Sequence, residues 1–220
     1  MSNSDRARIR PSVRGRIRLA SLALAAVAVL TPALLPAATA HAVPDSVRQA
    51  APRAAAHPAL ATAKRLNITM QAQQNSNWCW AASGNTIASW FGRDYNQNQF
   101  CDAAFGRPQG SPCGNWQASL GNVQDALDWM GINPGTYVRG YLRYATVQKE
   151  IDAGRPVETR IEWSSGGGHM HVLYGYDPAA GQVYWGDPWP SNSRYNWADY
   201  DYYVDNDSFT WTHSLYGIGA

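Results

Sequence analysis

All ten tryptophans of this 220-residue chain lie beyond position 66. A folded core needs large apolar side chains, so only residues 66–220 are equipped to build one. That stretch, about 155 residues, suits a single domain. The segment before it is of another kind. Residues 1–18 carry Arg6, Arg8, Arg10, Arg14, Arg16 and Arg18 against Asp5 alone. The apolar run "LASLALAAVAVL" follows at 19–30, and Ala40-His41-Ala42 comes after it. A basic start, an apolar middle and a small-residue cleavage site make residues 1–42 a secretory signal peptide. The apolar run is short and broken by Pro32 and Pro36, which argues against a membrane anchor. Residues 43–65, rich in Ala and Pro and free of aromatic side chains, read as a linker or short pro-segment.

The net charge of +2 belongs to this front end. Ten of the 18 basic residues but only two of the 16 acidic ones lie in 1–65, which leaves residues 66–220 near −6. With no basic patch to neutralise phosphates, no nucleic-acid partner is expected. Nor does anything after the signal peptide suggest stable membrane association, and a monomer is expected.

Export places the three cysteines in an oxidising compartment. Cys101 and Cys113 flank the Gly- and Pro-rich loop "DAAFGRPQGSP" and are expected to pair as a disulfide. Cys79 is then left over, in "QAQQNSNWCWAAS". It is a buried thiol, half of another bridge, or a nucleophile.

"LNITMQA" (66–72) alternates apolar and polar, as an incoming strand does. Residues 78–92 read as a helix ended by Gly92, and 120–132 as a second helix with Val123, Ala126, Leu127 and Met130 on one face. A third helix ends at Ala153 and gives way to a strand reaching Trp163. "HMHVLYGYDP" and "GQVYWGDPW" read as strands joined by a turn near Ala179–Gly181. Helices first and strands later imply an α+β fold with segregated layers.

Cys79 opens its helix, where partial positive charge favours a thiolate. A nucleophile also needs a base to hold and return its proton. His169 follows a glycine run, "SSGGGHMH", that lets a substrate backbone come close. His171 points to the same side of that strand. If the next strand pairs antiparallel, its end returns Asp187 to the side of His169. A carboxylate there fixes the imidazole tautomer and favours the imidazolium. Trp189 can shield the pair from water. Acyl transfer also needs oxyanion donors; the Cys79 N–H is one, and Gln73 and Gln74 are available for the second.

The spacing Q-x5-C-W from Gln73 to Trp80 resembles the active-site stretch of the papain-like cysteine peptidases. Closer still is a compact bacterial branch, the C39-like and avirulence-effector-like peptidases. Its pieces are matched by "LNITMQAQQNSNWCWAAS", "IDAGRPVETRIEW", "GGHMHVLYGYDP", "VYWGDPWP" and "SFTWTHSLYG". The resemblance implies an N-terminal helical part carrying the cysteine, packed on a C-terminal antiparallel sheet carrying histidine and acid. It implies Cys79 as nucleophile, His169 as base, Asp187 as third member and Gln73 as oxyanion donor. Trp80, Gly167, Gly168 and Trp189 are then expected to meet a protein or peptide substrate. Papain itself is longer and usually has Asn as third member; Asp187 fits the bacterial branch, and the small domain leaves less material for substrate subsites.

Other readings are weaker. Cys79 with His169-x-His171 lacks the paired spacing of a zinc site, so no metal and no cofactor are expected. Asp199, Asp201, Asp205 and Asp207 lack the glycine and terminal glutamate of a calcium loop. A cell-wall peptidase or amidase, an acyl transferase with the same groups, and a catalytically silent binding module are the rivals to a secreted endopeptidase.

Overall fold

The computed structural model describes residues 62–220. The expected signal peptide, and all but the end of the expected linker, lie outside these residues. That end is not linker: Lys64–Arg65 form a short strand, β1, in register with Tyr176 and Gly175. The fold therefore begins before residue 66.

The architecture is α+β. Three helices come first: α1 (Cys79–Trp90), α2 (Gln97–Ala104) and α3 (Leu120–Trp129). Then follow β2 (Thr136–Arg139), α4 (Tyr144–Asp152), β3 (Val157–Trp163), β4 (Gly168–Asp177), β5 (Gln182–Gly186), β6 (Tyr195–Asp199), α5 (Tyr200–Val204) and β7 (Phe209–Tyr216). The seven strands form one antiparallel sheet in the order β2-β7-β3-β4-β5-β6, with β1 also on β4. Among the described residues, no helix is long and apolar enough to cross a membrane.

α1 is the central helix. Every residue from Trp80 to Ala88 is buried, so this stretch has no solvent face. It packs on β4, where the Ser83 hydroxyl donates to the Met170 carbonyl at 3.2 Å. Gly84 lies where α2 crosses: a β-carbon there would stand 2.4 Å from Phe100 Cζ. A glycine inside a helix costs roughly 1 kcal/mol against alanine, and here the Phe100 ring fills the space it leaves.

Two expectations need correcting. Residues 66–72 alternate in burial, with Leu66, Ile68 and Met70 inside, but they join no strand ladder. Their N–H groups find scattered acceptors instead: Leu66 donates to the Tyr174 carbonyl, Met70 to the Tyr195 hydroxyl and Gln71 to the Thr86 hydroxyl. Period-two burial reports which side chains face inward and says nothing of backbone pairing. The second correction is α2. The expected loop between the paired cysteines begins as helix, closed at its start by a capping box of Asn96 and Gln99.

Cys101 and Cys113 are disulfide-bonded, with Cα atoms 6.2 Å apart. Buried Asp102 organises the loop between them, accepting from Gly110 N at 3.0 Å, Asn98 Nδ2 at 3.2 Å and Arg107 Nε at 3.3 Å. Replacing both cysteines by alanine should lower stability by about 3 kcal/mol, from the closed-loop entropy alone. Urea titration of the double variant measures the loss.

Candidate active site

The paired tryptophans set where Cys79 stands. Trp78 and Trp80 are 2% and 1% exposed. Their indole N–H groups donate to the carbonyls of Gly114 at 2.9 Å and Trp116 at 3.0 Å. These anchors fix the first turn of α1 against the 114–116 loop and leave Cys79, the free cysteine, half-buried between them. No side chain caps the helix and its first turn holds no acid. Among the described residues, no acceptor takes the Cys79 N–H. The positive end of α1 therefore opens at the sulfur.

His169 reaches this point from the start of β4. The antiparallel β4–β5 pairing carries the chain back, and Asp187, just past β5, meets the ring. His169 Nε2 lies 2.7 Å from Asp187 Oδ1. Cys79 lines the same cleft as this ring and is near enough to influence its proton affinity. Two indoles flank the ring: Trp163 stacks on it at 6.0 Å and Trp189 meets it at near right angles at 6.2 Å.

Asp187 is fully engaged. Oδ1 also accepts from Trp189 N at 2.8 Å, and Oδ2 accepts from Asn192 Nδ2 at 2.8 Å. Arg194 closes the turn on the Asp187 carbonyl. Burial alone would raise the carboxyl; the hydrogen bond and charge of His169 outweigh it and hold Asp187 far below its ordinary value. Burial would likewise strip the proton from His169, but the Asp187 bond and Cys79 reverse this and raise it to about 9. A cysteine, a ring held as imidazolium and a carboxylate thus meet at one site.

Behind them lies a polar chain. Thr159 Oγ1 and the Tyr203 hydroxyl are 2.7 Å apart, and that hydroxyl is 3.2 Å from His171 Nδ1. His171 Nε2 stands 3.7 Å from Asp187 Oδ2, too far for a hydrogen bond. Burial, with the charge of His169, lowers His171 to about 4, so this ring is neutral. His169, His171 and Asp187 cluster closely enough to be considered as metal ligands. The short His169–Asp187 bond already uses the facing atoms. Glu158, also fully buried, has both carboxyl oxygens unpartnered; burial and nearby Cys79 push it well up, so it stays protonated.

Cys79 and His169 open onto a cleft of about 380 Å³, bordered also by Gly167, Gly168, Trp163 and Trp189. Of the residues expected to meet substrate, Gly167, Gly168 and the 39%-exposed Trp189 stand at this cleft. Trp80 borders it but is a core residue, packed on Phe100 and Phe105. Gln73 is buried just before the helix. Its Nε2 donates at 2.9 Å to the carbonyls of both Asn75 and Ser76, and its Oε1 is unpartnered. Sequence reasoning did not single out Asn192, Trp163 or Tyr203. Asn192 sits in an ordinary polar turn, and Trp163 and Tyr203 reach the site through pairings that no local pattern encodes.

The family model described as papain-like cysteine protease AvrRpt2 matches residues 62–204, most of the described chain. The chain belongs to this family. It is a papain-like cysteine peptidase, and its substrate is a protein or peptide. Solved structures similar to this protease include the peptidase domain of Streptococcus ComA, a bi-functional ABC transporter (17% identity, 66% of this chain and 95% of that one, TM-score 0.49). A double glycine motif protease from an AMS/PCAT transporter is similar at 18% identity (70% and 93% covered, TM-score 0.46). Xylellain, a cysteine protease from Xylella fastidiosa, is similar at 13% identity (71% and 86% covered, TM-score 0.44). Comparison with curated proteins finds no match.

The protease should show the His171 assignment in its pH dependence. A histidine whose folded value lies below its ordinary 6.5 gives stability that is full above 6.5 and lost as pH falls toward about 4. Protonated Glu158 has the opposite sign, losing stability as pH rises above its ordinary 4.5. A difference measurement separates them. Between pH 6.5 and about 4, wild type should lose stability relative to His171→Phe by about 1.4 kcal/mol per pH unit. Parallel urea-stability curves for the two proteins would instead mean that His171 is charged in the fold.

Proposed function

We propose that the protein is a secreted, monomeric cysteine endopeptidase working through Cys79, His169 and Asp187. The observation that carries this reading is that Cys79, at the head of α1, lines one cleft with His169, whose ring is bonded to Asp187 at 2.7 Å. Secretion is supported by the basic, apolar and small-residue pattern of residues 1–42.

In this reading the Cys79 thiolate attacks the scissile carbonyl carbon. The carbonyl π electrons move to oxygen, and the oxyanion is met by the free Cys79 N–H at the head of α1. His169 imidazolium gives its proton to the leaving amine as the C–N bond breaks, leaving a thioester on Cys79. Neutral His169 then takes a proton from water, whose oxygen attacks the thioester. Collapse releases the acid product and restores thiolate and imidazolium. Asp187 holds the ring and stabilises its charge throughout. Gln73 supplies the second oxyanion donor once its amide exchanges one of its two loop carbonyls for the developing oxyanion.

Five outcomes are expected with an unfolded protein as substrate. Cys79→Ala abolishes turnover while its circular dichroism matches wild type; retained turnover would end this mechanism. His169→Ala lowers kcat/KM by about 10⁴-fold, and Asp187→Asn by less, about 10²-fold, because only ring orientation and charge support are lost. Gln73→Ala lowers kcat by about 10²-fold or more with little change in KM, the signature of a transition-state contact. The imidazolium is held up to about pH 9, so kcat/KM falls as pH rises through that value.

A further inference from the structure

The cleft holds one charged side chain that the proposed chemistry does not use. Arg160 lines it together with Cys79 and His169, and among the described residues it is the one arginine or lysine that does. Its place is fixed by the β3–β4 register: Ile161 stands opposite His169, Glu162 opposite Gly168 and Arg160 opposite Met170. Apart from Cys79 and His169, the other cleft residues named above are neutral, and residues 66–220 as a whole are acidic.

The guanidinium is half committed. Nη1 donates to Thr212 Oγ1 at 2.8 Å and, weakly, to exposed Glu162 Oε2 at 3.3 Å. Among the described residues, Nε and Nη2 donate to nothing. Those two atoms form the edge of a guanidinium that receives a carboxylate through two parallel hydrogen bonds. Gly168, the residue before His169, makes room for this edge. A β-carbon there would come within 2.6 Å of Nη2 and 2.8 Å of Cζ and Nε. The absent side chain lets the guanidinium lie flat on the backbone beside the proposed base. A purely structural arginine bridging β3 to β7 would need only the Thr212 bond. It would not need an unpartnered bidentate edge on a residue that lines the cleft.

We propose that Arg160 is a carboxylate-recognising subsite, so that the preferred substrates are peptides bearing a carboxylate close to the scissile bond. The carboxylate is that of an Asp or Glu side chain or of the peptide's own C-terminus. Glu162 holds the guanidinium loosely until substrate replaces it. This rests on the peptidase reading for its effect on turnover, but its binding component does not.

The test uses the full chain and quenched peptides in matched pairs: Asp against Asn at each position flanking one cleavable sequence, and a free C-terminus against a carboxamide. Wild type should favour the carboxylate member of one pair by about tenfold to a hundredfold in kcat/KM, and the pair that responds identifies the source. Arg160→Met should bring that ratio to about one. Arg160→Lys should keep part of it, because charge remains and the fork is lost. The same pairs are titrated into Cys79→Ala, with and without Arg160→Met, reading tryptophan fluorescence. Arg160-dependent binding of the carboxylate peptides without turnover in wild type would uphold the subsite and overturn the peptidase reading. Turnover in wild type with no carboxylate preference, or a preference that survives Arg160→Met, would overturn the subsite alone. Neither turnover nor selective binding would overturn both.

Discussion

Everything at the site depends on a helix buried on all sides. From Trp80 to Ala88 α1 has no solvent face, so its position is set by the elements around it: β4 through Ser83, α2 through the Phe100 ring over Gly84, and the 114–116 loop through two indole hydrogen bonds. Close packing leaves a helix so enclosed little freedom to slide or turn. Its first residue is therefore a fixed point in space, and that residue is Cys79. The tryptophans around the thiol do structural work: they take the two flanking positions into the core so that the middle one faces the cleft.

The second fixed point is built in another way. His169 lies on β4 and Asp187 just past the end of the antiparallel β5, and the register of these strands, not any local motif, brings residues 18 apart into contact. Burying three ionisable groups together is costly unless each charge is matched. The match here is uneven by design of the surroundings. Asp187 carries the negative charge and collects donors from His169, Trp189 and Asn192. His171, deeper and beyond hydrogen-bond reach of that carboxylate, stays neutral, as does Glu158. The deep groups thus shed their charges, and the one buried cation that remains is the ring beside the sulfur.

Much of this was legible in the sequence where spacing alone carries the information. Cys79 between tryptophans, His169 after glycines and Asp187 one strand later all follow from strand and helix geometry, and the structure brings these three side chains together. The segments misread were those where local pattern and tertiary role part company. Leu66–Met70 alternate like a strand because one side faces the core, yet the sheet edge they would join is occupied differently. Helix α2 was hidden because its disulfide partner and the glycines and prolines after it suggested a loop, although Asn96-x-x-Gln99 was a usable cap signal. β7 is the least local element. It is the last strand in sequence but sits inside the sheet between β2 and β3, a placement no periodicity encodes. Asn192 and Trp163 were out of reach for the same reason.

Gln73 shows where fold and chemistry pull against each other. A glutamine amide has two hydrogens, and both are taken here by the Asn75 and Ser76 carbonyls. Turning the amide over would set its oxygen against those same carbonyls, so the orientation seen is the favourable one in the free protein. The unpartnered Oε1 records the cost of that choice. A donor held this way is already oriented and half desolvated, and an oxyanion needs only to outbid one neutral carbonyl for one hydrogen. Charge-assisted hydrogen bonds are roughly twice as strong as neutral ones, so the exchange favours the charged intermediate over the uncharged substrate carbonyl. In the proposed mechanism, a loop that competes for the donor would make the interaction selective for the transition state, the condition under which binding energy accelerates the chemical step.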